Sequence, residues 1–397
     1  MINMNRRQFI RIFGLSTGAI ALTTGITGCG DLKSSFSSSD ESDNYGWNGP
    51  TADIKDIRLQ VLAYAILSPN PHNKQPWAIK LTGPLKFELY VDQERLLPAT
   101  DPYFRQIHIG QGTFLETASI AASGLGHDAE ITLFPQGIYS NTQVLNKPVA
   151  KVSLTPNESV KTNPLFANLL SRHSNKREYS DQPLTQNQVS ELIRFNTDNN
   201  QNSLTLVDSP AAKKQLEQVL TKAMQIEVGN KGRDEETIKM FRFNQAEVEQ
   251  YRDGFGTAQA GLSGLKRLLV ENFILSREST EKDPTEFGQQ AVSMTQKVVE
   301  STGTFAWITS ASNSRIDQIN VGREYCRINL KTNSMGLAQH PLSQILQEYE
   351  DMLPMQAAFK DFFNIKTSDT VQMLFRLGTA EITQHSPRRT VTDIIQA

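Results

Sequence analysis

Apolar residues along the chain fall into helical and extended runs from about residue 54 onward. Ile54, Ile57, Val61, Leu62, Ala65 and Ile66 recur at helical spacing, which predicts a helix over Ile54–Leu67. Ser68-Pro69-Asn70-Pro71 ends it, because two prolines cannot continue a helix. Ala78–Leu81 and Phe87–Val91 predict strands, and Ile107–Leu125 predicts a long amphipathic helix with Gly124 near its end. Asn163–Leu170 and Gln188–Phe195 predict helices and Leu204–Val207 a strand. Pro210–Ile226 predicts a helix with proline in its permitted first turn. Phe305–Thr309 and Met373–Gly378 predict two further strands. Between Glu227 and Ser301 lies a charged, helix-patterned insert interrupted by Gly254, Gly256, Gly261 and Gly264, which are candidate hinges. An excursion of this length is either a lid over a site or a decorative helical subdomain. The mixture predicts an α+β protein.

Gln106-Ile107-His108-Ile109-Gly110 recurs as Gln318-Ile319-Asn320-Val321-Gly322, an offset of 212, and Gly124-Leu125 recurs as Gly336-Leu337 at the same offset. The match brackets two predicted helices and predicts a duplicated α/β unit. It divides the chain into a first half at 51–160 and a second at 161–397 that carries the insert.

Of 397 residues, 21% are charged and 38% hydrophobic, enough apolar mass for a substantial core. A net charge of −2 gives no support for nucleic-acid binding. Cys29 and Cys326 are the only cysteines, and Cys326 falls in a helical run where a small buried apolar residue fits.

Asn5-Arg6-Arg7-Gln8-Phe9-Ile10-Arg11 resembles a twin-arginine export signal, and the uncharged Ile12–Ile26 is short for a spanning helix but suits the apolar run of a signal sequence. Ile26-Thr27-Gly28-Cys29 resembles a lipobox whose cysteine is acylated; the other reading is an ordinary cleavage site with Cys29 nearby. Residues 1–29 are thus expected to be a signal and 30–50 a polar linker. The resemblance implies a bacterial protein that meets the twin-arginine machinery and is exported to the periplasm or outer surface. A lipid on Cys29 would hold it at a membrane.

Arg172-His173-Ser174-Asn175-Lys176-Arg177 concentrates cations, and on an extended backbone Arg172, Ser174 and Lys176 share a side. They suit an anion or an electron-rich ring, and equally a solvated basic linker. The stretch, with Tyr179 and Pro183 beyond it, resembles the R-x-S-x-(K/R) flavin-binding segment of FMN-dependent nitroreductases. Ser68–Trp77 resembles that family's S-P-x-x-x-N-x-Q-P-W segment, though Pro76 and Trp77 also fit a plain core turn. Gly336–Ser343 resembles the backbone run beneath the flavin, with Ser343-Gln344 replacing the usual acidic-glycine pair. Ser386-Pro387-Arg388-Arg389 resembles the basic element that holds the phosphate.

The resemblance implies a duplicated nitroreductase-like fold, fused as a pseudo-dimer of the single-chain, Acg-like branch, monomeric, with one FMN site. It implies FMN contacts from Pro69, Asn70, Pro71, Asn73, Arg172, His173, Ser174, Lys176, Leu342, Ser343, Arg388 and Arg389. Lys176 would tune the flavin. His72 and His173 suit hydrogen-bonding spacers better than proton donors. The implied activity is reduction of small electron-poor acceptors, nitroaromatic or quinone-like. The other reading is a flavin-sequestering protein with little turnover. No metal-ligand spacing or phosphate-binding glycine loop is present.

Overall fold

A computed structural model describes residues 46–396. Arg6, Arg7, Cys29 and most of the polar linker lie outside the described residues.

The first half contains α1 (Ile57–Ala65), β1 (Trp77–Gly83), β2 (Lys86–Val91), α2 (Arg105–Gly124), β3 (His127–Leu133) and β4 (Ala150–Pro156). Helix α1 starts three residues later than its apolar pattern, because the Asp56 side chain accepts from the Arg58 amide at 2.9 Å and caps it there. The strands form an antiparallel sheet in the order β1-β2-β4-β3. Trp77 and Phe87 on the sheet and Phe114 on α2 are buried together in its core.

In the second half, a 3₁₀ turn (Pro164–Asn168) and α3 (Gln186–Asn199) precede β5 (Ser203–Val207). A capping box between Thr185 and Gln188 starts α3. After the insert come β8 (Thr304–Ser310), α10 (Arg315–Ser334), β9 (Ala338–Pro341), α11 (Leu353–Phe362) and β10 (Thr370–Gly378). The second sheet, also antiparallel, has the order β5-β8-β10-β9. Each sheet therefore uses its strands in the spatial order first, second, fourth, third, with a long helix between the second and third.

Those helices, α2 and α10, cross at their glycines. A Cβ on Gly112 would lie 2.0 Å from the Ile319 carbonyl oxygen, and one on Gly322 would lie 2.0 Å from that of Ile109. The reciprocal contact pairs Ile109 with Ile319 and Gly112 with Gly322, an offset of 210. Arg105 and Arg315, both buried, open the two helices at the same offset. The sequence repeat at 212 is thus two residues out of structural register. It aligned similar apolar residues, whereas the close approach of two backbones sets the true pairing.

The insert lies between β5 and β8, in a connection that in the first half is residues 84 and 85 alone. The connection opens with α4 (Pro210–Glu227), and the insert after it holds α5 (Lys231–Met240), β6 (Phe241–Arg242), α6 (Gln245–Tyr251), β7 (Phe255–Gly256), α7 (Gly264–Phe273), α8 (Arg277–Lys282) and α9 (Thr285–Glu300). Strands β6 and β7 pair in parallel. Gly254, with φ of 71°, is no free hinge: a Cβ there would fall 2.1 Å from the Met240 carbonyl oxygen. The Gly254 amide also donates to the Asn73 carbonyl at 3.1 Å.

The chain that follows the 3₁₀ turn is bound to the second sheet, and the chain that follows β10 is bound to the first. The Asn175 amide donates to the Gln339 carbonyl at 3.0 Å and that of Ser180 to Thr379 at 2.9 Å. Beyond β10 the chain returns to the first sheet through α12 (Val391–Ile394), where the Gln396 amide donates to the Ile79 carbonyl at 2.8 Å.

Candidate functional site

The Ser68–Trp77 turn takes its shape from α2. Thr113 Oγ1 donates to the Pro69 carbonyl at 2.6 Å, and Gly110 leaves room for Pro71, whose Cδ would lie 3.3 Å from a Cβ there. His72, Asn73 and Gln75 have φ near 50°, a left-handed conformation that costs non-glycine residues energy and needs support. The support is a set of hydrogen bonds. Asn70 Oδ1 accepts from the Gln75 amide at 2.7 Å. Asn73 Nδ2 donates to the carbonyls of Gly254 at 3.0 Å and Pro387 at 2.8 Å. Gln75 Nε2 donates to the Arg252 carbonyl at 2.8 Å. The turn is thereby tied to both the insert and the C-terminal segment.

Arg172 and Arg388 meet beside this turn, both buried. Arg172 donates to the Leu67 carbonyl at 2.9 Å and to Asn329 Oδ1 at 3.2 Å. Arg388 donates to Asn73 Oδ1 at 2.6 Å and to the Leu67 carbonyl at 3.3 Å, while its buried Nε has no hydrogen-bond partner among the described residues. The guanidinium carbons lie 5.4 and 5.0 Å from the centre of the Trp47 ring, and His385 stacks on that ring at 3.9 Å. Neither arginine pairs with a carboxylate among the described residues. Burial and then the neighbouring Arg172 hold Arg388 well below its ordinary pKa, and burial with Arg172 takes His385 down to about 4.

Lys176 is half-buried, its Nζ 4.2 Å from the centre of the Phe255 ring on β7. Burial pulls its pKa down to about 8. Burial and the charge of Lys176 push His72 down to about 4, and burial, Arg376 and Lys176 push His340 well below its ordinary range. His340 Nδ1 accepts from Arg376 Nε at 3.1 Å.

One cavity of about 1810 Å³ joins these groups. Pro69, Asn70, Pro71, Asn73, Arg172, His173, Ser174, Lys176, Leu342, Ser343 and Arg388 all line it. Some are already engaged: both ends of the Asn73 amide are satisfied by protein, and the Leu342 amide donates to the Leu374 carbonyl at 2.8 Å. Arg389 does not reach the cavity. Its amide donates to Gln75 Oε1 at 2.8 Å, and its guanidinium lies 3.5 Å from Asp92. The wall also contains His340, from the Gly336–Ser343 motif, and Trp47, Phe255, Tyr325 and Glu227, which lie in none of the sequence motifs. A lone tryptophan in a Ser/Asp-rich stretch was the signal available for Trp47. Burial raises Glu227 to about 7 against a hydrogen bond from Gln344.

Among the described residues, no group of His, Cys, Asp or Glu is arranged to hold a metal ion, and no helix is long and apolar enough to cross a membrane.

No family model matches the chain. Two Mycobacterium tuberculosis proteins, from strains H37Rv and CDC 1551 / Oshkosh and provisionally named NAD(P)H nitroreductases, are each 32% identical to it over 83 residues. That match takes in 21% of this chain and only about a quarter (24%) of each relative's length. Among solved structures, the FMN-dependent nitroreductase NfnB of Mycobacterium smegmatis, in complex with NADPH, is similar at 13% identity and a TM-score of 0.36, over 57% of this chain and 94% of that one. A Bacteroides fragilis nitroreductase with bound FMN is 10% identical at a TM-score of 0.30, over 55% of this chain and 90% of its own. An Anabaena variabilis protein described as a nitroreductase is 10% identical at 0.38, over 79% and 82%.

Proposed function

We propose that the chain is an FMN-dependent, nitroreductase-like oxidoreductase with one flavin site, and that it reduces small electron-poor compounds. One observation carries this reading: Arg172 and Arg388, buried and, among the described residues, without a carboxylate partner, share a cavity with Lys176, whose Nζ likewise has no carboxylate beside it among those residues. Buried charges are costly unless paired, so a cluster of this kind calls for an anion. The free Nε of Arg388 supplies a donor for it. A phosphate meets the arginine pair, and Lys176 suits the electron-rich part of the same molecule. Bound there, FMN would supply hydride and one-electron chemistry. The chain's own part is to hold the phosphate, orient the ring against the Pro69–Pro71 turn, and place a cation where negative charge develops.

The segments that complete the site come from both halves of a single chain, which supports a fused pseudo-dimer acting as a monomer. A second reading, flavin sequestration with little turnover, is favoured by Phe255 of the insert lying over Lys176. Export by the twin-arginine route and a lipid on Cys29 belong to the same proposal and rest on the sequence motifs at residues 5–11 and 26–29.

The test is reconstitution. The purified chain should retain about one FMN, and Arg172→Ala or Arg388→Ala should weaken retention by roughly ten- to a hundredfold, since a charge-assisted hydrogen bond contributes about 1.5–3 kcal/mol. A chain that takes up no FMN ends the reading. Anaerobic mixing with NADH or NADPH separates the two readings, because flavin bleaching followed by reoxidation with a nitroaromatic requires an open, working site.

A further inference from the structure

The cavity is larger than one cofactor needs. At about 1810 Å³ it approaches twice the upper end of the ~300–1,000 Å³ range of small-molecule clefts. The additional wall belongs to α4 and the insert, where Met224 of the first and Phe241, Leu269, Phe287, Met294 and Val298 of the second line the same space. Polar side chains interrupt this wall, so it can be wetted until an apolar group displaces the water.

A second observation shows where that wall leads. Leu269 lines the cavity and is also 44% exposed. Leu265 and Leu268, four and one residues earlier on α7, are 67% and 49% exposed. The apolar lining thus continues along one helix from the cavity to the molecular surface. Clustered exposed leucines are costly in water, and here they adjoin an interior of the same character.

We propose that the insert forms a chamber for the aliphatic chain of an amphiphile, entered along α7, with the polar end directed toward Lys176. The identity of the group that meets Lys176 rests on the flavin reading; the chamber's affinity for a chain does not. The ligand class is a small molecule with a long unbranched or isoprenoid tail. A compact aromatic would leave the insert's wall uncovered.

The experiment titrates the full chain with cis-parinaric acid, a fluorescent fatty acid. The expected result is saturable binding of about one probe per chain, displaced by dodecanol and not by inorganic phosphate. Met294→Trp and Ala291→Phe, which push bulk into the chamber from α9, should each weaken binding by at least about tenfold while far-UV circular dichroism stays unchanged. If one variant does not fold, the other gives the reading. Three results would overturn the proposal: no saturable binding, displacement by phosphate in place of dodecanol, or unaltered affinity in the folded variants. FMN content measured on the same samples separates the two ideas. Probe binding without FMN sinks the flavin reading alone, and FMN without probe binding sinks the chamber alone.

Discussion

Asn73 Oδ1 accepts a 2.6 Å hydrogen bond from Nη1 of Arg388, joining a turn of the first half to a segment that follows the last strand of the second. The same amide donates to Gly254 of the insert and to Pro387. One side chain thus fastens three separate parts of the chain around a buried cation. Asn73→Ala should destabilise the protein by about 2–3 kcal/mol, because it leaves a buried guanidinium and two carbonyls short of partners. Urea unfolding measures the loss. A change below about 0.5 kcal/mol, the level of an ordinary surface substitution, would show that the turn holds without it.

The α2–α10 crossing predicts a larger penalty. Gly322→Ala places a methyl group against the Ile109 carbonyl with no flexible side chain to yield. The expected cost is about 3 kcal/mol or more, at or above the top of the usual overpacking range. Gly126→Ala serves as the comparison: Gly126 lies just past the end of α2, at φ of 74°, and faces open space. Its cost should be only about 1 kcal/mol, from conformation alone. Equal thermal shifts for the two variants would refute the packing argument.

Most elements with a strong apolar period were legible in the sequence, including α2, α4, β5 and β8. Strand β3 was not, since its residues alternate between half-buried and exposed and none is fully buried. The flavin-family motifs led to Arg172, Lys176 and Arg388, which the fold brings to one cavity. They could not distinguish Arg388 from Arg389, adjacent arginines of which one turns inward and the other pairs with Asp92. Nor could they show that Asn73 is consumed by protein contacts, because Gly254 and Pro387 are remote in sequence and meet it only through the insert and the returning chain. The repeat was visible but misaligned, because its register is set by backbone contact, which apolar similarity does not encode.

Glu227 makes stability depend on pH. Burial raises its pKa from an ordinary 4.5 to about 7, so between those values the unfolded chain is ionised while the folded chain holds the proton. The folded state then binds more protons, and stability falls as pH rises from 4.5 to 7. Glu227→Gln should remove a fall on the order of 3 kcal/mol over that window. Asp101, pushed up to about 6 by burial, leaves a residual slope of the same sign. Unfolding midpoints measured at pH 5 and pH 7.5 check this, and parallel pH curves for the variant and the unaltered protein would contradict it.

Lys176 carries a stability cost that the flavin proposal would explain. Its folded pKa of about 8 lies below the ordinary 10.5, so the charged form is disfavoured by folding, and the cost is fully present below about pH 8. Lys176→Met should therefore stabilise the flavin-free protein at pH 7 by roughly 1–3 kcal/mol, with the gain shrinking as pH rises toward 10.5. The same variant should lower the midpoint potential of bound flavin. A destabilised variant would mean that the ammonium is already compensated within the protein.

Among the described residues, Trp47 is the first in the chain to line the cavity and Arg388 the last, and they touch at its cationic end. A ribosome delivers them in that order, with every other wall residue in between. The cationic end of the cavity is therefore complete only once synthesis has passed Arg388: a nascent chain interrupted earlier lacks one of the two guanidiniums, however much of the core it has already built. Quality control that senses a bound cofactor would, in this molecule, be sensing that translation had passed Arg388.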